Sequence, residues 1–154
     1  MGAWAGCGRR GCLEAVASRL AIAQAAAAAV YRDAAPYLRE HAGTDIAKMR
    51  SKMIAAAIRN GDTVVEDIVR AAAAWLGRGV AMVVNLMAPD LVVLGGGLVE
   101  ALPELYLKEA QDSAQQSVMP TFRDRFSVAV AQLGDEAAVR GAAAWAARRA
   151  GKED

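Results

Sequence analysis

The clearest hydrophobic pattern of the chain lies between residues 65 and 87, where apolar side chains recur every three or four positions. This spacing predicts an α-helix, which Asp62 caps at its beginning and Pro89 ends. The apolar positions are Val65, Ile68, Val69, Ala72, Leu76, Val80, Val83 and Met87. Gly77 and Gly79 lie inside the helix, which indicates a close approach by another backbone or a ligand. Tight packing of the helix on a sheet is the favoured explanation.

The sequence before this helix also favours helical structure. Residues 12–39 include an uninterrupted run of alanines and predict a helix that Pro36 kinks or divides. Thr44 and Asp45 are polar residues of the kind that cap helices, and we expect a second helix from there to about Arg59. The first half of the chain is therefore predicted to be entirely helical.

Two short apolar runs predict β-strands, at residues 91–94 and 126–133. A continuous apolar run of this kind is typical of a strand that is buried on both faces. Helices are predicted between the strands, at 100–117, and after them, at 136–150. The strand–helix–strand order predicts a parallel pair with a right-handed crossover. Because two strands make a thin sheet, we expect a missing segment or another subunit to supply the rest.

The composition narrows the class of protein. The chain has 154 residues, 55% of them hydrophobic and only 5% aromatic, which favours one domain of closely packed helices. The net charge of +1 gives no electrostatic reason to expect a nucleic-acid or membrane partner. No apolar run is long enough for a transmembrane span, and the first residues do not resemble a signal peptide. We therefore expect a cytoplasmic protein with reduced thiols.

The stretch CGRRGCLE, at residues 7–14, carries the first candidate chemistry. Cys7 and Cys12 are separated by four residues, a spacing that allows both sulfurs to bind one metal ion. A structural zinc site needs four ligands, however, and the single histidine, His41, is distant in sequence, so two free thiols are an equal alternative. Glu14 lies in the first turn of a predicted helix, where the helix dipole favours a carboxylate. A carboxylate at this position could alternatively accept hydrogen bonds from the hydroxyl groups of a ligand.

Three consecutive glycines, Gly95, Gly96 and Gly97, follow the first predicted strand. They do not fit the dinucleotide-binding fingerprint or the P-loop, because the further glycines and the lysine of those motifs are missing. Glycines at the carboxyl end of a buried strand let a ligand approach the backbone. An ordinary glycine turn is the commoner explanation.

In this order, the two stretches resemble the C-terminal half of a protein of the ROK family, which comprises sugar kinases and sugar-responsive repressors. The family pattern is an upstream histidine followed by Cys-x-Cys-Gly-x-x-Gly-Cys-x-Glu. Cys7, Cys12 and Glu14 match it, whereas Ala5 replaces the first cysteine and no upstream histidine exists in the chain. Residues 85–97, NLMAPDLVVLGGG, are very similar to the helix–proline–strand–glycine segment of the family.

The resemblance implies a helix-rich α/β fold: part of an actin-like (ribonuclease H-like) ATPase, with a short parallel strand pair flanked by helices. It implies that residues 1–154 are a single domain, the C-terminal lobe, and that the N-terminal lobe is absent. It also implies that Glu14 binds a hexose or amino-hexose and that Gly95, Gly96 and Gly97 line the nucleotide site. Zinc at Cys7 and Cys12 is possible, but half of the ligand set is missing.

The intact parent would transfer a phosphoryl group from ATP to a hexose, and it would need Mg²⁺. The aspartate base of the family lies in the N-terminal lobe, so we assign no catalytic residue here and expect the chain to be inactive alone. We expect it to form a homo-oligomer or to associate with the missing lobe. The alternative is a non-catalytic interaction or oligomerisation module, such as the effector lobe of a ROK-type repressor.

Overall fold

The structure is a computed structural model that describes residues 6–151, apart from the side chain of Asp135. The helices and strands follow one another as α1 (Glu14–Ala17), α2 (Arg19–Tyr31), α3 (Pro36–His41), α4 (Ser51–Arg59), α5 (Thr63–Met87), β1 (Leu91–Leu94), α6 (Gly97–Ala101), α7 (Pro103–Ser117), β2 (Ser127–Val130) and α8 (Ala137–Ala150). Single 3₁₀ turns at Pro120–Phe122 and Gly134–Glu136 precede β2 and α8.

The long helix α5 forms the centre of the molecule, as its hydrophobic period predicts. Val65, Val69 and Val84 are buried on its inner face. A Cβ at Gly77 would overlap the carbonyl oxygen of Ala110 on α7. The prediction that close packing explains this glycine is therefore confirmed, but the partner is a helix and not the sheet.

The predicted helix over residues 12–39 is divided into three. The first break is at Ser18, whose backbone is extended (ψ 157°) and whose Oγ accepts a hydrogen bond of 3.1 Å from the N–H of Ala21. This cap begins α2. The second break follows Tyr31, and α3 then begins with Pro36 as its first residue.

The expected caps at Thr44 and Asp45 are wrong. Helix α4 begins only at Ser51, and the carboxylate of Asp45 instead accepts a hydrogen bond of 2.9 Å from the N–H of Ala47. Such a bond stabilises a local turn, which competes with the start of a helix.

Asp62 is the N-cap residue of α5, as predicted, and its carbonyl oxygen accepts a hydrogen bond of 3.1 Å from the N–H of Glu66. Its carboxylate makes no capping bond to α5 but accepts hydrogen bonds of 3.0 Å from the N–H groups of Tyr37 and Leu38 on α3. The side chain is only 1% exposed. A buried carboxylate thus caps a helix that lies twenty-four residues away in sequence.

The two strands are parallel, as predicted. Leu91 pairs with Ser127 and Leu94 pairs with Val130, and the crossover between the strands consists of α6 and α7. The expectation that β1 is buried on both faces is wrong, because Leu91 is 52% exposed and Val93 is 56% exposed. Within residues 6–151 the helices cover only the face to which Leu94 points.

The end of the molecule around the strands exposes many apolar side chains. Met82, Leu86 and Met87, at the end of α5, are between 73% and 85% exposed. Every described side chain of α8 is exposed as well. No helix within the described part of the chain is long and apolar enough to cross a membrane.

Candidate functional site

A hollow of about 490 Å³ lies where β1 runs into α6. Its wall includes the junction of α1 and α2, the beginning of α4, the glycine turn, and α7, and apolar residues of α5 and α6 complete it. The four parts named first contribute Ala17 and Arg19, Ser51, Gly95 to Gly97, and Tyr106, respectively. The hollow therefore lies at the carboxyl end of a strand of a parallel pair, the edge at which α/β proteins commonly bind ligands.

The glycine turn leaves the backbone of this wall open. Gly96 has a φ of +112°, a conformation that residues with a side chain rarely adopt, and no atom lies within 4 Å of the position that its Cβ would occupy. A Cβ at Gly97 would lie 3.1 Å from the Oγ of Ser51. The turn thus needs glycine at Gly96 for its conformation and at Gly97 for a close approach to α4.

Tyr106 contributes a buried hydroxyl group to the same region. The residue is only 3% exposed, and its hydroxyl has no hydrogen-bond partner within the described residues. Burial raises the pKa of Tyr106 to about 12, because the charged form would be poorly solvated there. Because this hydroxyl is buried and has no partner, it destabilises the folded chain.

Arg19 and Ser51 were not predicted as site residues. Arg19 is an exposed residue at the beginning of α2, and its guanidinium group supplies a positive charge to the wall of the hollow. The predicted helix over residues 12–39 placed it in a helix interior, so its position depends on the break at Ser18. Tyr106 was missed because its position in the predicted helix over 100–117 is indistinguishable from that of a core aromatic residue.

Glu14, the candidate sugar ligand, is the first residue of α1 and is exposed. Its carboxylate lies against the preceding loop, since a Cβ at Gly6 would be 3.1 Å from its Oε1. Ala17, the last residue of α1, lines the hollow. One short helix thus carries Glu14 at one end and reaches the glycine hollow with the other.

The candidate metal ligands Cys7 and Cys12 come together, with their Sγ atoms 3.9 Å apart. Their mutual hydrogen bond is the main cause that raises the pKa of the Cys12 thiol, and desolvation adds to it. No group of three or more histidine, cysteine or acidic residues that could hold a metal ion occurs among residues 6–151. His41 is engaged elsewhere: its ring stacks on that of Tyr37 at a centroid distance of 4.0 Å. The residues present therefore do not fit a four-ligand zinc site.

A second hollow, of about 500 Å³, lies beside the ends of α4 and α6 and is lined by charged side chains that include Arg59, Glu66 and Arg70. Arg70 forms ion pairs with both Glu66 and Glu109. Its charge is therefore already compensated, and no glycine lines this hollow. The glycine hollow, at the carboxyl end of β1, is the better candidate for a ligand that lies against the backbone.

Comparison with known proteins gives a consistent result. The glucokinase of Thermotoga maritima is 30% identical to the chain over 145 residues, which are 94% of the chain and 45% of that protein. The DNA-binding transcriptional repressor Mlc of Escherichia coli is 30% identical over 137 residues, 89% of the chain and 32% of that protein. The chain thus spans less than half the length of these relatives.

A solved structure shows the same fold. The ROK family glucokinase from Streptomyces griseus, crystallised in complex with glucose and AMPPNP, has a TM-score of 0.77 and 31% identity. The match covers 91% of the chain and 46% of that protein. The helix-rich α/β fold is therefore that of the actin-like ATPases, as the resemblance implies. Since the model of the ROK family matches residues 1–149, the chain belongs to the ROK family.

Proposed function

We propose that this chain is the sugar- and nucleotide-binding lobe of a ROK-type sugar kinase that acts in the cytoplasm. The observation that carries the proposal is the glycine hollow, whose wall combines the glycine backbone at Gly96 with the side chains of Arg19 and Tyr106. The glucokinase of S. griseus, which has this fold, forms a complex with glucose and the ATP analogue AMPPNP.

The hollow has the features that an adenine nucleotide requires. Gly95 to Gly97 present backbone without side chains, so a flat base or a ribose can lie close to it. Tyr106 lines the hollow beside the glycine turn, and Arg19 can form charge-assisted hydrogen bonds with the phosphates. A volume of about 490 Å³ lies within the usual range for small-ligand sites.

Glu14 is the proposed sugar ligand. Its carboxylate is exposed at the start of α1, so it can accept short hydrogen bonds from two hydroxyl groups of a hexose or amino-hexose. Because α1 also reaches the glycine hollow through Ala17, a sugar at Glu14 would lie at the opposite end of the same helix from the nucleotide.

Phosphoryl transfer would need parts that we do not assign to this chain. ATP supplies the phosphoryl group and Mg²⁺ neutralises its developing charge. Mg²⁺ binds largely through phosphate oxygens and water, and no cluster of ligands for a metal ion occurs within residues 6–151. Because the resemblance places the aspartate base in the N-terminal lobe, we assign binding but no catalytic base to the chain, and we propose that it does not phosphorylate sugar alone.

The exposed apolar residues suggest where the rest of the protein binds. Leu91 and Val93 expose one face of β1, although strands of parallel sheets are usually covered on both faces. We propose that residues 1–154 form one lobe of a two-lobed protein and that this face packs against further sheet or helix from the remainder. A second copy of the chain is the alternative occupant.

Calorimetric titration of the 154-residue chain with AMPPNP and with glucose tests the proposal. We expect both ligands to bind, and we expect Arg19→Gln to weaken AMPPNP while Glu14→Gln weakens only glucose, each by about fivefold to tenfold. Gly141→Ala, a change in open space on α8, is the control and should alter neither affinity. The proposal would be contradicted if the chain bound neither AMPPNP nor glucose. Phosphorylation of glucose by the chain alone would also contradict it.

The effector lobe of a repressor is the second candidate, and the 30% identity to Mlc over 89% of the chain favours it. A repressor lobe need not bind a nucleotide. Glucose binding by a stable oligomer that ignores AMPPNP would support this candidate, whereas AMPPNP binding supports the kinase.

A further inference from the structure

The loop at residues 7–12 holds two thiols close together without a metal site to explain them. Gly8 and Gly11 have φ values of +77° and +78°, and no atom lies within 4 Å of the Cβ position of either glycine. These two left-handed residues bend the backbone so that the ends of the loop face each other. The Sγ atoms of Cys7 and Cys12 are consequently 3.9 Å apart.

We propose that Cys7 and Cys12 form a reversible disulfide within this loop and so constitute a redox site. A disulfide requires the sulfurs to approach from 3.9 Å to about 2.05 Å. A structural zinc ion would need four ligands, and the ligand set here is incomplete. Ala5 stands at the first cysteine position of the family pattern, and no third ligand occurs in the described part of the chain.

The thiols are accessible to an oxidant. Cys7 is exposed and Cys12 is half-buried, so Cys7 is the thiol that an incoming molecule meets first. Arg9, which lies between the two thiols in sequence, is exposed, and its positive charge favours an anionic oxidant such as glutathione disulfide.

The reaction is two successive thiol–disulfide exchanges. The thiolate of Cys7 attacks one sulfur of glutathione disulfide, and one glutathione thiolate leaves as a mixed disulfide forms. The thiolate of Cys12 then attacks the Sγ of Cys7 and expels the second glutathione. The protein loses two electrons and two protons, and these reduce one glutathione disulfide to two molecules of glutathione.

Glutathione redox buffers applied to the full 154-residue chain test the proposal. Samples are quenched with iodoacetamide, and intact mass spectrometry measures the fraction of chains that have lost two hydrogens and resist alkylation. We expect the equilibrium constant for the disulfide to be at least about tenfold larger in the native chain than in the same chain unfolded in urea, since the folded loop holds the sulfurs together.

Three variants sharpen the test. Cys7→Ser should give only a glutathione adduct at Cys12. Gly8→Ala should lower the native equilibrium constant by about fivefold or more, because alanine resists the left-handed conformation. Gly141→Ala should leave the constant unchanged.

Equal constants in the native and unfolded chains would overturn the proposal, as would a full effect retained in Gly8→Ala. Retention of one zinc ion per chain after treatment with a chelator, with both thiols protected by the metal, would also overturn it. None of these readouts depends on sugar or nucleotide, so the redox site and the proposed function can fail separately.

Discussion

The body formed by α5 and α7 differs sharply from the strand end formed by β1, β2 and α8. In the body, α5 lies so close to α7 that Gly77 leaves no room for a side chain, and the Oγ of Ser113 donates a hydrogen bond of 2.8 Å to the carbonyl of Ala74. At the strand end, Leu91, Val93 and Trp145 are all more than half exposed.

The comparison teaches that the two regions are stabilised by different parts of the protein. In the body, the packing contacts of α5 and α7 are made within this chain. The strand end presents apolar surface of the kind that usually meets another protein surface. Substitutions should therefore be costly in the body and nearly neutral at the strand end until its partner is present.

The largest effect is expected for Gly77→Ala. The added methyl would overlap the carbonyl oxygen of Ala110 and lie 2.8 Å from the Cβ of Ser113, so the two helices must separate. We expect the free energy of unfolding to fall by about 3 kcal/mol, as for other overpacked cores. Urea denaturation followed by circular dichroism measures it.

The matched control is Gly141→Ala on α8, where no atom lies within 4 Å of the new methyl group. Alanine favours helix, so this variant should be unchanged or more stable by up to about 1 kcal/mol. Equal losses at the two positions would contradict the distinction between the body and the strand end.

A somewhat smaller loss, of about 2–3 kcal/mol, is expected for Asp62→Ala. The change leaves the N–H groups of Tyr37 and Leu38 without their buried acceptor. Asp62→Asn keeps one acceptor oxygen and should lose about half as much. If Asp62→Ala unfolded at the same urea concentration as the wild type, the long-range cap would not stabilise the body.

Tyr106→Phe should raise the stability at pH 7 by about 1 kcal/mol, because it removes a buried hydroxyl that has no partner. The pH dependence gives a second readout. An unfolded tyrosine ionises near pH 10, whereas the pKa of Tyr106 is raised to about 12. The wild type should thus lose stability as the pH rises from about 10 to about 12, and the variant should lack that part of the loss.

The smallest effect is expected at the exposed face of β1. Val93→Thr should change the free energy of unfolding by less than about 0.5 kcal/mol, because the side chain is 56% exposed. Val128→Thr, on the buried face of β2, is the matched comparison and should lose about 1–2 kcal/mol. A loss at Val93 as large as that at Val128 would show that something already covers this face.

Local patterns predicted those parts of the fold that depend on neighbouring residues in sequence. Short segments of sequence determine three such features: the helical period of α5, the strand at 91–94 and the glycine turn after it. The long-range cap by Asp62 depends on a contact with another helix, so helix propensity alone did not indicate it. The break at Ser18 comes from a local cap, which the strong helix propensity of the alanines concealed. The prediction that β1 is buried on both faces was wrong for a related reason. An apolar run indicates that both faces of a strand can be buried, but not that this chain supplies the residues that bury them.

The candidate site was predictable to a similar degree. The resemblance to the family indicated Glu14 and the three glycines, and the structure connects them through α1. Tyr106 and Arg19 become site candidates only when the folded chain brings α7 and α2 to the glycine turn. Their side chains follow no motif that a single sequence displays.

The most direct test of the account is a titration of the ¹⁵N-labelled chain with AMPPNP, followed by nuclear magnetic resonance of the backbone amides. We predict saturable chemical-shift changes for the amides of Gly95, Gly96, Gly97 and Ser51. The amides that line the charged hollow beside Arg70 should be unaffected. Shifts centred on that second hollow, or none at up to about 10 mM nucleotide, would contradict the claim that the glycine hollow is the nucleotide site.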